Sequence, residues 1–323
     1  MSVYQIKYMD AVPDSAVCNE AVKLAKRHKF AQLSGFVNGV LRNIARNIDL
    51  VQFDTLSIRY SMPQWIVDRF VSEYGEKKAE EIFKAFHNKS TISIRTNLTR
   101  CTPDELRAKL EAEGVTVTAV DELDYAFVIS GFDYLNGLQS FRDGLFYVQD
   151  ISSMLVAQTA APKKGDYVID VCAAPGGKST HIAELLQGSG HVLARDMTDN
   201  KVDMIEENIE RHGLNNMSAE VWDATVPDAD SAGKADILIC DLPCSGLGVL
   251  GRKKDIRYKM TPESVDELAA LQRQILDTVH TYVKTNGVLV YSTCTIDEAE
   301  NEDNVRWFIE KHPEFELDKS FAE

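Results

Sequence analysis

The chain has 323 residues, 44% of them apolar and 26% charged, with 18 glycines and 9 prolines, a composition that excludes a collagen, a low-complexity array and a disordered tail protein and allows two or three domains. Six cysteines are too few for a disulfide scaffold and point to free thiols in a reducing, cytoplasmic setting. No apolar run approaches the roughly 18–20 residues of a membrane span, MSVYQIKYMDAVPD has acids where a secretion signal has its apolar centre, and the net charge of −15 argues, as a total, against a polyanionic partner.

Residues 14–47 read as helical. Ala16, Val17, Ala21, Val22, Leu24 and Ala25 recur at helical spacing, and Asp14 or Ser15 is placed to cap the start. A second helix fits 33–48, with Phe36, Val37, Val40, Leu41 and Ile44 on one face. Two short helices bury little, so residues 1–57 look like part of a helical domain. Residues 58–138 read as a small α+β domain. It has helices at 64–74 and 77–86, and a strand in Thr91-Ile92-Ser93-Ile94-Arg95-Thr96-Asn97. An amphipathic helix over 103–113 is ended by Gly114, and a strand follows at 115–120.

From residue 139 short apolar strands alternate with helices. Strands are expected at 167–172, 191–196, 218–222, 235–241 and 287–292, and helices at 178–186, 199–212, 262–283 and 298–311. That alternation predicts an α/β fold with a parallel sheet covered on both faces, whose ligands lie outside the carboxyl ends of the strands.

Four motifs fall on that edge. Asp170-Val171-Cys172-Ala173-Ala174-Pro175-Gly176-Gly177-Lys178-Ser179-Thr180 ends the first strand and opens a helix, and its small residues let the backbone approach a ligand closely. Cys172 stands where a Walker A loop needs glycine, and the G-x-G-x-x-G spacing is absent, so a ligand with an adenosine but no pyrophosphate fits best. Asp196, Asp223 and Asp241 end three successive strands; an acid at Asp196 suits ribose hydroxyls. Asp241-Leu242-Pro243-Cys244-Ser245-Gly246 and Ser292-Thr293-Cys294-Thr295 finish two strands expected to be neighbours. Cys244 and Cys294 are therefore candidate reactive thiols, whereas Cys18, Cys101 and Cys240 read as small buried hydrophobes. The seven histidines are scattered and no zinc-ribbon spacing occurs, so no metal is expected.

Charge is unevenly spread: residues 1–60 carry 8 basic against 5 acidic side chains, and residues 161–323 carry 17 against 30. Inside that acidic stretch lies Arg252-Lys253-Lys254-Asp255-Ile256-Arg257-Tyr258-Lys259, with five basic residues in eight. Alone it reads as a solvated loop; beside a reactive Pro-Cys loop it reads as a phosphate contact.

DVCAAPGGKST, DLPCSG and STCT followed by Glu300-Asn301-Glu302 resemble the signature motifs of the Nop/Sun family of RNA cytosine carbon-5 methyltransferases. The stretch Gly144-Leu145-Phe146-Tyr147-Val148-Gln149-Asp150-Ile151-Ser152-Ser153-Met154 resembles the start of that family's catalytic domain. Gly35-Phe36-Val37-Asn38-Gly39-Val40-Leu41-Arg42 resembles the NusB-like domain of its bacterial RsmB branch, which methylates a cytosine of 16S ribosomal RNA. The resemblance covers essentially the whole chain. It implies a partial all-α NusB-like segment over 1–57, a small α+β RNA-binding domain over 58–138, and a Rossmann-like S-adenosylmethionine-dependent methyltransferase domain over 139–323. The family's sheet closes with two more strands beyond the point where this chain ends at Phe321-Ala322-Glu323, which leaves the fifth strand as an expected edge.

By the same resemblance Cys294 is the nucleophile that adds to carbon 6 of cytosine, Cys244 helps remove the carbon-5 proton and release the product, and Asp241 holds the base. In DNA cytosine methyltransferases the Pro-Cys cysteine is the nucleophile instead, and residue types alone leave both assignments open. Cys172, Ala173, Ala174, Pro175, Gly176, Gly177 and Lys178 would wrap S-adenosylmethionine, with Asp196 on the ribose, Asp223 by the adenine and Asp241 near the transferred methyl; Lys178 would also reach the base or a phosphate. Arg252, Lys253, Lys254, Arg257, Lys259 and, more weakly, Arg95 are the expected RNA contacts. The expected partner is RNA, 16S ribosomal RNA first, with the chain a monomer. The competing readings are a non-catalytic RNA-binding or assembly factor on the same fold, and a methyltransferase for tRNA, DNA or a small molecule. Two cysteines favour an enzyme; the helical segment and basic run favour RNA.

Overall fold

The computed structural model describes residues 1–50, 53–88, 91–121 and 123–318, so the terminal Phe321-Ala322-Glu323 lies outside the described residues. The chain divides into two compact units, residues 1–62 and 63–323. Among the described residues no helix is long and apolar enough to cross a membrane.

The first unit is helical: Ser2–Tyr8, Asp14–Arg27, Ser34–Asn47 and Leu56–Arg59, the first and last of them unanticipated. Val17, Cys18 and Leu41 are its buried helical side chains. Phe36, expected on the packed face, is 70% exposed, and Val40 is exposed too. Neither Asp14 nor Ser15 caps the second helix; Pro13 precedes it with φ −60°, and no side-chain cap bond forms. A proline there gives up an N–H that the first turn leaves unpaired anyway.

The second unit holds both sheets. Strands β1 (Ile92–Thr96), β2 (Thr116–Val120), β3 (Leu123–Ser130) and β4 (Phe146–Val148) form an antiparallel sheet in the order β2-β3-β1-β4. The helix Pro103–Ala112 packs on it through Leu106 and Leu110, against Ile94, Phe127, Ile129 and Phe146. Thr102 starts that helix with a capping box: its Oγ1 accepts from Glu105 N, and Glu105 Oε2 accepts from Thr102 N at 2.8 Å.

The second sheet is parallel: β5 (Tyr167–Asp170), β6 (His191–Asp196), β7 (Met217–Val221), β8 (Ala235–Asp241) and β9 (Val283–Ser292), in the order β7-β6-β5-β8-β9. Val168, Val192, Ala194, Ile237 and Ile239 face one buried cluster, and Ile169, Leu238 and Cys240 the other, so both faces are covered. The order reverses at β5, with β6 on one side and β8 on the other, which opens a crevice above the β5 carboxyl end. The helix Pro262–Val279 gives way to a 3-10 turn, His280–Tyr282, before β9 begins. Among the described residues β9 pairs only with β8.

Candidate active site

The first motif runs from the end of β5 into the helix Gly177–Leu185. Asp170 is fully buried, accepts from Ser179 Oγ at 2.5 Å, and is pushed up to about 7 by burial. The loop that follows is tied to β6: Ala173 N donates to Arg195 O (2.8 Å), and Ala174 N to Asp196 Oδ2 (3.0 Å). Gly176 sits at φ +99°, a left-handed conformation natural to glycine. Cys172 is half-buried, and burial pushes its thiol well up, so it is not the reactive one.

Asp196 ends β6 and is buried. It accepts from Met197 N and Lys201 Nζ, both at 2.8 Å, besides Ala174. Asp223 follows β7, is exposed, and is held below the usual carboxylate range by the Thr225 hydroxyl and amide. Asp241 ends β8; its Oδ2 accepts from Lys178 Nζ at 2.6 Å and its Oδ1 from Ser292 Oγ at 2.8 Å. Lys178 thus reaches across the crevice to Asp241. Successive strands bring the three acids to one rim of the sheet.

The β8–β9 register pairs Asp241 with Ser292, so the loops beyond them leave the sheet side by side. That brings Cys244 Sγ to 3.2 Å from Cys294 Sγ, and Cys294 N donates to Cys244 Sγ at 3.3 Å. Cys294 is exposed and lowered to about 7, first by the hydrogen bond from Cys244; burial and Asp241 oppose this, and Lys253 and Lys178 assist it. Cys244 is pushed well up, chiefly by its hydrogen bond to Cys294 and then by burial. Of the two sulfurs, Cys294 is the one whose surroundings favour the thiolate and Cys244 the one whose surroundings favour the thiol.

Glu300 is fully buried beneath both loops, where it accepts from Ser245 N (2.9 Å), Ser245 Oγ and Gln272 Nε2 (2.9 Å). Gln272 also donates to Pro243 O, at 2.8 Å. Asn301 braces the other loop, taking Thr293 Oγ1 at 2.7 Å and donating to Thr295 O at 3.2 Å. Glu300 and Asn301 stand in the motif noted from sequence; Gln272, in mid-helix, carries no local signal. The Cβ of any other residue at Gly248 would fall 2.8 Å from Cys294 O.

The basic run divides. Lys253 and Lys254 are exposed, and Lys259 is exposed beside Asp255. Arg252 pairs with Asp150 at the rim of a cleft of about 370 Å³ that Asn88, Ser93 and Gly251 also line. Arg257, expected to touch RNA, is instead 5% exposed, and its guanidinium donates to Leu250 O at 3.2 Å. Arg95 departs further: it is 1% exposed, because its face of β1 packs against the helix Gly177–Leu185, and it is spent on Glu184, Thr180, Gln149 and Gly177 O. The fold also gathers His280, His312 and Asp277, their donor atoms within 4.8 Å of one another, at the amino end of β9 and so away from the cysteines.

The model of the 16S rRNA methyltransferase RsmB/F family matches residues 157–323, that of the NusB family residues 1–46, and that of the ferredoxin-like domain of RsmF/B-like methyltransferases residues 62–132. The probable ribosomal RNA small subunit methyltransferase B of Bacillus subtilis is 38% identical over 329 residues, covering 99% of this chain and 73% of that protein. The crystal structure of PH0851 has a TM-score of 0.82 at 27% identity, covering 99% of this chain and 74% of that one. The structure of NSun6 from Pyrococcus horikoshii has a TM-score of 0.70 at 25% identity, covering 77% and 87%. With a Rossmann-like domain behind NusB-like and ferredoxin-like regions, this chain belongs to the RsmB/F family of 16S ribosomal RNA methyltransferases.

Proposed function

We propose that the chain methylates carbon 5 of a cytosine in 16S ribosomal RNA through a covalent bond from Cys294 to carbon 6. The observation that carries this reading is the sulfur pair, 3.2 Å apart at the carboxyl rim; the lowering of the Cys294 thiol to about 7 supports it as the nucleophile. Carbon 5 of cytosine is a poor nucleophile; a thiolate on carbon 6 makes the ring enamine-like, and a thiolate also leaves again.

S-adenosylmethionine is the cofactor, and when bound it supplies an electrophilic methyl group. The residues present fit it. Gly176 at φ +99° opens the loop, the first amides of the helix Gly177–Leu185 have no partner within the helix, and Asp196 offers acceptor positions beyond those in use. Residues 172–178 would line its methionine and ribose, with Asp196 on the ribose hydroxyls and Asp223 by the adenine.

Cys294 adds its electron pair to carbon 6, which raises the electron density at carbon 5. Asp241 accepts from the exocyclic amine, and the Lys178 ammonium, 2.6 Å from that carboxylate, offsets the negative charge that the added electron pair brings into the ring. After methylation carbon 5 bears both the methyl and its original hydrogen. Once Cys294 is bonded to carbon it is no longer an anion, and two of the three influences that raise the Cys244 thiol vanish: the hydrogen bond to the Cys294 thiolate and its charge. Cys244 then releases its proton to solvent, takes the proton from carbon 5, and the sulfur–carbon bond breaks to regenerate the Cys294 thiolate. The target base must stand out of its stack to meet both sulfurs.

The test incubates the chain with methyl-labelled donor and 16S RNA and locates 5-methylcytosine by mass spectrometry. Cys294→Ala is expected to abolish transfer, and Cys244→Ala to accumulate a protein–RNA adduct that survives denaturing electrophoresis. Full activity in Cys294→Ala overturns the covalent reading, and a label on carbon 5 of no cytosine overturns the reaction.

A further inference from the structure

Arg95 and Tyr147 are directly opposed residues on the antiparallel strands β1 and β4, so their side chains share one face of the small sheet. Both end on the 172–178 loop. Tyr147 Oη donates to Pro175 O at 3.1 Å, and Arg95 Nη1 donates to Gly177 O at 2.8 Å. The two carbonyls flank Gly176, the residue with φ +99°. The Tyr147 ring also closes over the helix start: a Cβ at Gly177 would fall 3.1 Å from its Cε1. The guanidinium lies 5.4 Å from the centre of that ring and is anchored behind by Glu184 at 2.9 Å and Thr180 at 3.2 Å. Asn208 adds a second donor to Pro175 O, at 2.9 Å.

A peptide is planar and trans across Gly177–Lys178, so a carbonyl fixed toward the small sheet turns the following N–H the opposite way. Pinning Gly177 O therefore sets the direction of the Lys178 amide. We infer that Arg95 and Tyr147 are positioning residues for S-adenosylmethionine: the small antiparallel sheet, separate from the parallel sheet that carries the donor loop, holds that loop in its binding shape. This rests on the donor reading of the 172–178 loop, and it gives buried Arg95 a task other than RNA contact.

The test titrates the full-length chain with S-adenosylmethionine in a calorimeter. Tyr147→Phe removes one hydroxyl and keeps the ring, so the donor Kd is expected to rise about two- to tenfold, the range for one neutral hydrogen bond. Arg95→Lys keeps the charge and loses the planar fork, so a rise of more than about tenfold is expected. In both, the KM for donor rises with Kd, while affinity for RNA stays at the wild-type value. A structural role alone would lower the melting temperature of donor-free Tyr147→Phe and leave its donor Kd unchanged. Wild-type binding with the same Kd in Tyr147→Phe overturns the inference even if Arg95→Lys fails to fold. A wild-type chain that takes up no donor overturns the donor reading of the loop, and the inference with it.

Discussion

Two thiolates 3.2 Å apart would repel strongly, so the Cys244–Cys294 pair keeps one proton, and the surroundings decide which sulfur has it. Cys294 gains from the hydrogen bond and from Lys253 and Lys178, and its titration centres at about 7. The thiolate is the reactive form, so kcat/KM should rise with pH below about 7 and level off above it, with no second rise near the ordinary thiol range. Replacing Cys244 by Ala removes the hydrogen bond that lowers Cys294 most. In that variant the rate of adduct formation, followed by rapid quench, should rise at a higher pH than in the wild type. An unchanged midpoint would assign the lowering to the lysines instead. Both cysteines were legible because each ends a strand within a short motif. Gln272 was not, and the roles of Ser292 and Tyr147 were not although both stand in quoted motifs, since each acts on a loop or strand end contributed by another element. Arg95 and Arg257 show the converse: a basic residue within a strand or a basic run looks available until packing covers it.

Strand ends and helix starts in the large sheet were readable because apolar runs there are bounded by Asp, Pro and Gly. Strand β3 was missed: Leu-Asp-Tyr-Ala-Phe-Val-Ile-Ser lies between β2 and β1, and Ala126 is buried along with Tyr125 and Phe127, so the alternation of a half-exposed strand is blurred. Strand β4 was read as the approach to the catalytic domain, yet it completes the small sheet. What fixes its start is Gly144, at φ +64°, where a Cβ would fall 2.0 Å from Arg211 O on the helix Asp199–His212. Gly165, at φ +91°, has open space around it and serves as the control. Gly165→Ala should cost about 1 kcal/mol, the left-handed strain alone. Gly144→Ala should cost about 3 kcal/mol or more, since backbone must move as well. Urea unfolding of the two variants measures the difference, and equal midpoints would mean that the helix yields freely at Arg211.

Over the whole chain the net charge of −15 repels RNA, so binding depends on where the cations stand. Lys253 and Lys254 are exposed just beyond the Pro-Cys loop, and Lys253 also bears on the Cys294 thiolate. If both hold phosphates of a single-stranded target, each contributes about 0.7 to the slope of log affinity against log salt. Lys253→Ala/Lys254→Ala should therefore flatten that slope by about 1.4 and weaken binding most at low salt. Arg257→Ala should do neither: its guanidinium is buried on Leu250 O, and its loss should lower the melting temperature with the salt slope intact. Filter binding of 16S RNA across a salt series separates the two. A slope unchanged by the double lysine variant would move the phosphate contacts to another face of the molecule.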